Sequence, residues 1–127
     1  MYLLDTNIII GFLKNDPMIV DHCNKINEIN LSVISVGEML YGVEKSTRKN
    51  DNHTFYLSFF NSCAVYPVDN PTAREYASLR YRLKASGKPI PENDLWIAAT
   101  ANALNFTLIT RDQHLLGIKK FADVIRW

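Results

Sequence analysis

The first ten residues constrain this chain more than any other stretch. Tyr2, Leu3 and Leu4 are apolar, Asp5-Thr6-Asn7 interrupt them, and Ile8, Ile9 and Ile10 resume the apolar run. A carboxylate among so much apolar bulk is costly unless something cationic holds it. Two readings stay open on this stretch alone. Asp5 can cap the helix that follows, because Asp, Thr and Asn accept bonds from the orphan amides of a helix start. Alternatively, Asp5 stands at the carboxyl end of a first, central strand, where open α/β sheets build their sites.

The order of local signals favours alternating strands and helices. Residues 2 to 5 read as a strand, and Asn7 to Lys14 as a short helix that Asn15-Asp16-Pro17 stops. Ile19, Cys23, Ile26 and Ile29 carry helical spacing over Met18 to Ile29. Leu31 to Ser35 read as a buried strand. Ser35 then precedes Glu38 at capping-box spacing, with a helix running on toward Lys45. Arg48 to Asn52 read as a loop or a frayed helix end, Phe55 to Phe60 as a helix with an aromatic face, and Ala64 to Val68 as a third strand. Asp69-Asn70-Pro71 open a helix over Thr72 to Ser86, which Gly87 ends. Pro89 and Pro91 make Lys88 to Glu92 an extended loop. Asn93-Asp94 open an Ala-rich helix, Leu95 to Leu104. Phe106 to Thr110 form a strand, Gln113 to Gly117 a turn or short helix, and Ala122 to Arg126 a last strand. This alternation predicts an α/β fold, a mostly parallel sheet covered on both faces.

Length and composition bound the rest. A chain of 127 residues with 47% hydrophobic and 21% charged residues builds one globular domain, spanning 1–127. No apolar run approaches the ~20 residues of a membrane span. Lys14, Asp16 and Pro17 end the first apolar stretch too early for a signal peptide, so the expected compartment is the cytoplasm. Cys23 and Cys63 have no metal-ligand spacing and read as reduced, partly buried thiols. A net charge of +1 does not announce a polyanion partner, although Arg74, Arg80, Arg82, Lys84 and Lys88 form one basic run. That run is either the wet face of an amphipathic helix or the lining of a nucleic-acid groove.

Four of the thirteen acids share one property. Asp5, Glu38 and Asp112 each follow an apolar strand, and Asp94 opens the helix before the fourth strand. In a parallel sheet all carboxyl ends lie on one edge, so these four acids can converge. Crowded carboxylates repel and shift one another's pKa values. Divalent metal would neutralise them, and an all-oxygen donor set suits Mg²⁺ or Mn²⁺. Metals so held serve phosphoryl transfer. Thr6, Asn7, Ser35 and Thr110 are neutral polar neighbours able to orient ligands or water. Each acid also has a plain structural reading: Glu38 as a capping-box residue, Asp94 as a first-turn acid, Asp112 as a turn residue.

The stretches Leu3-Leu4-Asp5-Thr6-Asn7, Ser35-Val36-Gly37-Glu38-Met39-Leu40-Tyr41-Gly42, Asp94-Leu95-Trp96-Ile97-Ala98-Ala99-Thr100-Ala101 and Thr107-Leu108-Ile109-Thr110-Arg111-Asp112 resemble the PIN domain, and more narrowly the VapC-type toxins of toxin–antitoxin systems. The resemblance implies a PIN-like α/β/α sandwich and a metal-dependent endoribonuclease using a metal-activated water. It implies that Asp5 and Asp94 are the principal ligands of Mg²⁺ or Mn²⁺, with Glu38 and Asp112 completing the pocket. It also implies a homodimer, an RNA substrate with tRNA among the candidates, and a VapB-type antitoxin whose tail enters the acidic groove. Many relatives carry Asn where Asp112 stands and an acid a little later; here Gln113-His114-Leu115 supply none. Arg111 is a candidate phosphate contact, and Arg80, Arg82, Lys84 and Lys88 are candidates to line the RNA groove. The rival reading is a catalytically inactive PIN-like binding module whose acidic pocket only receives a partner's basic tail.

Overall fold

The computed structural model describes residues 1–127. Five short strands, β1 (Tyr2–Leu4), β2 (Asn30–Ser32), β3 (Ala64–Tyr66), β4 (Thr107–Thr110) and β5 (Val124–Arg126), alternate with seven helices. All three ladders are parallel: β1 pairs with β4, β4 with β5, and β2 with β3. The two groups meet at β1, beside which β2 lies, and Asn30 Nδ2 donates to the Tyr2 carbonyl at 2.9 Å. The spatial order is therefore β3-β2-β1-β4-β5, with β1 in the middle. The chain leaves β1 for β2 on one side and later fills β4 on the other. The carboxyl end of β1 is thus the switch point, and the next residue is Asp5.

Period-two alternation divides the interior. Leu3, Leu108 and Val124 face a cluster closed by Leu79 and Leu83 of α5 (Asn70–Ala85), Leu95, Ala98 and Ala101 of α6 (Glu92–Leu104), and Leu115 of α7 (Gln113–Leu116). Leu4, Ile109 and Leu31 face a second cluster. Ile8 and Ile9 of α1 (Thr6–Leu13), Ile19 of α2 (Pro17–Cys23), Met39 of α3 (Val33–Glu44) and Phe60 of α4 (Lys49–Asn61) close it. Although no ladder joins β1 to β2, the two sheets lie side by side, and two cores on their opposite faces make the expected α/β/α sandwich. Ile109 is fully buried between β1 and β5. Ile109→Ala should lower the unfolding free energy by about 2–5 kcal/mol, read by urea denaturation.

Several boundaries differ from the sequence expectations. The second strand ends at Ser32, and Ser32, not Ser35, is the N-cap of α3, accepting from the Ile34 amide at 3.1 Å. Val33 and Ile34 are β-branched and read locally as strand, yet packing of α3 places them in its first turn. Ser35 is consequently inside the helix and buried, so the capping box with Glu38 does not exist. The second helix stops at Cys23, capped by Asn24, so residues 24–29 turn instead of continuing to Ile29. The fourth helix begins at Lys49, inside the expected loop. No helix is long and apolar enough to cross a membrane. Both cysteines are free, and burial pushes the Cys23 thiol up to about 11, an unreactive state.

Candidate functional site

Asp5 both caps a helix and ends a strand. It is the N-cap of α1, its Oδ1 accepting from the Thr6 amide at 2.8 Å. It also continues the β1 ladder, its amide donating to the Ile109 carbonyl at 2.9 Å, and is only 4% exposed. Its Oδ2 accepts from Thr110 Oγ1 at 2.6 Å. The same Thr110 oxygen accepts from the Asp112 amide at 2.9 Å, so one hydroxyl links the ends of β1 and β4. Thr110→Val removes that hydroxyl and leaves a buried carboxylate oxygen short of a donor. The expected loss is about 1–3 kcal/mol of unfolding free energy, again by urea titration.

Glu38 approaches from α3. Thr6 Oγ1 donates to Glu38 Oε1 at 2.7 Å and lies 2.8 Å from Ser35 Oγ. A hydroxyl has one proton and the carboxylate can only accept, so Ser35 donates to Thr6. Thr6 and Ser35 therefore orient Glu38. Asp94 stands in the first turn of α6, whose N-cap is Pro91; the Asp94 carboxylate caps nothing. Asp112 caps α7 through Oδ1, which accepts from the His114 and Leu115 amides at 2.8 and 3.3 Å.

Asp5 and Asp94 both lie within reach of the charges of Glu38 and Asp112. Burial raises the Asp5 pKa above the usual carboxylate range despite the bonds from Thr110 and Thr6, and the charges of Glu38 and Asp112 raise it further. Asp94 is pushed up to about 6, first by burial, then by the charges of Asp112, Asp5 and Glu38, with His114 opposing them. A divalent cation would neutralise such an excess of negative charge. The donors are all hard oxygens, which fits Mg²⁺ or Mn²⁺. No three side chains are disposed to wrap one ion directly.

Other candidates fare differently. Asn7 is exposed and accepts the Arg111 amide at 3.4 Å, so it faces the turn after β4 and touches none of the four acids. Arg111 is not a free phosphate contact. Its guanidinium donates to Asp16 Oδ2 at 2.8 Å and to the Trp127 carbonyl at 2.6 Å. Nothing local signalled this pair, which is separated by 95 positions. On α5, Arg80 donates to the Tyr76 hydroxyl at 2.6 Å and lies 3.5 Å from Glu92, while Arg82 sits over the Phe121 ring. Lys84 and Lys88 are exposed. Arg80 and Lys84 line a cavity of about 220 Å³ with Pro89, Ile90, Glu92 and Leu95, at the amino-terminal end of the helix that carries Asp94.

The fold is a parallel α/β domain with a buried acid, Asp5, at the switch point of its strands. The sequence profile of the PIN domain matches residues 2–121, and the chain belongs to that family. Ribonuclease VapC2 of Haemophilus influenzae is 31% identical over 126 residues, covering 98% of this chain and 92% of that protein. The tRNA(fMet)-specific endonuclease VapC of Shigella flexneri is 29% identical over 113 residues, covering 87% and 86%. Toxin FitB of Neisseria gonorrhoeae is 35% identical over 123 residues, covering 88% of both. Among solved structures, VapBC2 from Rickettsia felis, bound to a DNA fragment from their promoter, superimposes with a TM-score of 0.86. Its identity to this chain is 30%, over 99% of this chain and 98% of that one.

Proposed function

We propose that this chain is a metal-dependent endoribonuclease, the toxin of a toxin–antitoxin pair, working in the cytoplasm. The observation that carries the reading is the placement of Asp5, Glu38, Asp94 and Asp112 at neighbouring strand and helix ends, where burial and the nearby carboxylates raise Asp5 and Asp94 above the usual carboxylate range. A bound Mg²⁺ or Mn²⁺ would supply an activated water and neutralise the leaving oxygen. Asp5 and Asp94 would hold it, with Glu38 and Asp112 reaching it directly or through water.

The chain's own residues account for the rest of the chemistry. The Thr110 hydroxyl fixes the Asp5 carboxylate at the end of β1. The Ser35–Thr6 pair aims Glu38 into the same space. Because Asp94 is half buried and pushed up to about 6, it is the acid whose charge state changes most readily near neutrality. It therefore sets the lower pH limit of ion binding. Arg80, Lys84 and Lys88 lie near the amino-terminal end of α6 and would take the phosphates of an RNA strand leaving the pocket. Arg82 is the weakest of the basic candidates, since Phe121 already stacks on it.

The partner we infer is a VapB-type antitoxin, and the assembly a homodimer of single-domain chains spanning 1–127. A tRNA is a reasonable first substrate, given the relative named for tRNA(fMet). Sequencing of 5′ ends after incubation of total RNA with the purified chain and Mg²⁺ should show cuts at a few discrete positions. Ends spread evenly along all RNAs would contradict a dedicated toxin nuclease.

A further inference from the structure

The turn Thr110–Asp112 is held from two sides. On the inner side, Thr110 joins Asp5 to the Asp112 amide. On the outer side, Arg111 grips Asp16 with a two-pronged contact, Nη1 to Oδ2 at 2.8 Å and Nη2 to Oδ1 at 3.4 Å. Its Nε donates to the Trp127 carbonyl at 2.6 Å. Only 27% and 31% of the Arg111 and Asp16 side chains are exposed. A forked guanidinium–carboxylate contact fixes direction as well as distance.

Asp16 is itself a firm anchor. Its Oδ1 caps α2, accepting from the Met18 and Ile19 amides, and its own amide donates to the Gly11 carbonyl at 2.9 Å. The Arg111 guanidinium holds its carboxyl below the usual carboxylate range. The backbone of Arg111 is braced too, by Asn7 Oδ1 at its amide and Arg126 Nη1 at its carbonyl, both at 3.4 Å. Asp112 follows immediately. Its Oδ1 is spent on the α7 cap, which leaves Oδ2 for the pocket. A small rotation of the turn would swing that one oxygen away.

We propose that Arg111, locked onto Asp16, is a positioning residue: it fixes the turn that presents Asp112 and thereby sets the divalent-cation affinity of the pocket. This rests on the metal-dependent reading above. It replaces the expectation that Arg111 contacts RNA phosphate.

The test uses Asp16→Asn and Arg111→Lys in the full chain. Asn still caps α2 but lacks the charge, and Lys keeps the charge but lacks the fork. Three readouts are needed: calorimetric titration of the metal-stripped protein with Mn²⁺, the RNA-cleavage kcat and KM, and the Tm. We expect each variant to bind Mn²⁺ about tenfold more weakly and to lose kcat, with KM for RNA unmoved. The double variant should be no worse than the weaker single one, because both break one contact. Wild-type Mn²⁺ affinity in both variants, with only Tm lowered, would reduce the pair to a structural tie and overturn the proposal. A raised KM in Arg111→Lys with unchanged Mn²⁺ affinity would return Arg111 to phosphate binding and also overturn it. Both of those results leave the metal reading standing. A wild-type chain that takes up no Mn²⁺ would overturn the metal reading and this inference together.

Discussion

Asp5→Asn is expected to abolish RNA cleavage while the fold survives. The substitution is close to isosteric, and an Asn oxygen still accepts the Thr6 amide that Asp5 now accepts at 2.8 Å. What disappears is a negative charge at the switch point, 4% exposed, that burial and two neighbouring carboxylates already penalise. Removing it relieves repulsion, so the metal-free variant should be no less stable than wild type by more than about 1 kcal/mol. Activity should fall by well over a hundredfold, beyond the 10–100-fold typical of losing an outer partner of a metal site. Circular dichroism and a cleavage assay on one preparation measure both. Near-normal cutting would remove Asp5 from the machinery, and an unfolded variant would make it a purely structural cap.

Asp94→Asn should move stability and activity in opposite directions. In the metal-free fold the Asp94 pKa is raised from 3.8 to about 6. Protonation therefore favours the fold: the contribution is complete below 3.8 and lost as pH rises through about 6. At neutral pH the wild type carries this cost and the permanently neutral Asn does not. Because Asp94 is only half buried, solvent screening trims the gain to ~1 kcal/mol in urea titrations. Saturating Mn²⁺ reverses the order. Wild type should gain about 2.7 kcal/mol when the free ion is a hundred times its dissociation constant, and the variant much less. Binding should also weaken as pH falls through about 6, since the ligand must be deprotonated. Absence of that pH step from the wild type, with the step expected to vanish in Asp94→Asn, would show that Asp94 is not a ligand.

The sequence carried most of the fold because its signals were local. Each strand is a short apolar run, and the alternation of Leu3 with Leu4 and of Leu108 with Ile109 supplies both faces of the sheet. The places of Asp5 and Asp112 after strands, and of Asp94 in the first turn of α6, were legible for the same reason. What escaped was whatever depended on distant partners. Ser35 and Glu38 matched a capping box at sequence level, but α3 starts at Val33 because tertiary packing overrode the strand preference of Val33 and Ile34. Ser35 serves Glu38 through Thr6, from 29 positions away. Arg111 reads equally as a phosphate contact or as a solvated or helix-pairing cation, because its partner Asp16 lies in the turn between α1 and α2 and no local pattern marks the pair. Residues 24–29 kept the apolar spacing of a helix while Asn24 capped α2 before them.

The central claim is that the acid pocket cuts RNA with the help of a divalent ion. Its most direct test is cleavage of RNA by the purified chain in Mn²⁺, in Mg²⁺ and in EDTA, beside Asp94→Asn. Cutting is expected with either ion, none in EDTA, and none from the variant. Cutting that persists in EDTA or in Asp94→Asn would contradict the claim, and so would an intact chain that takes up Mn²⁺ and leaves every RNA whole, which is the behaviour of a pocket made only to bind a partner.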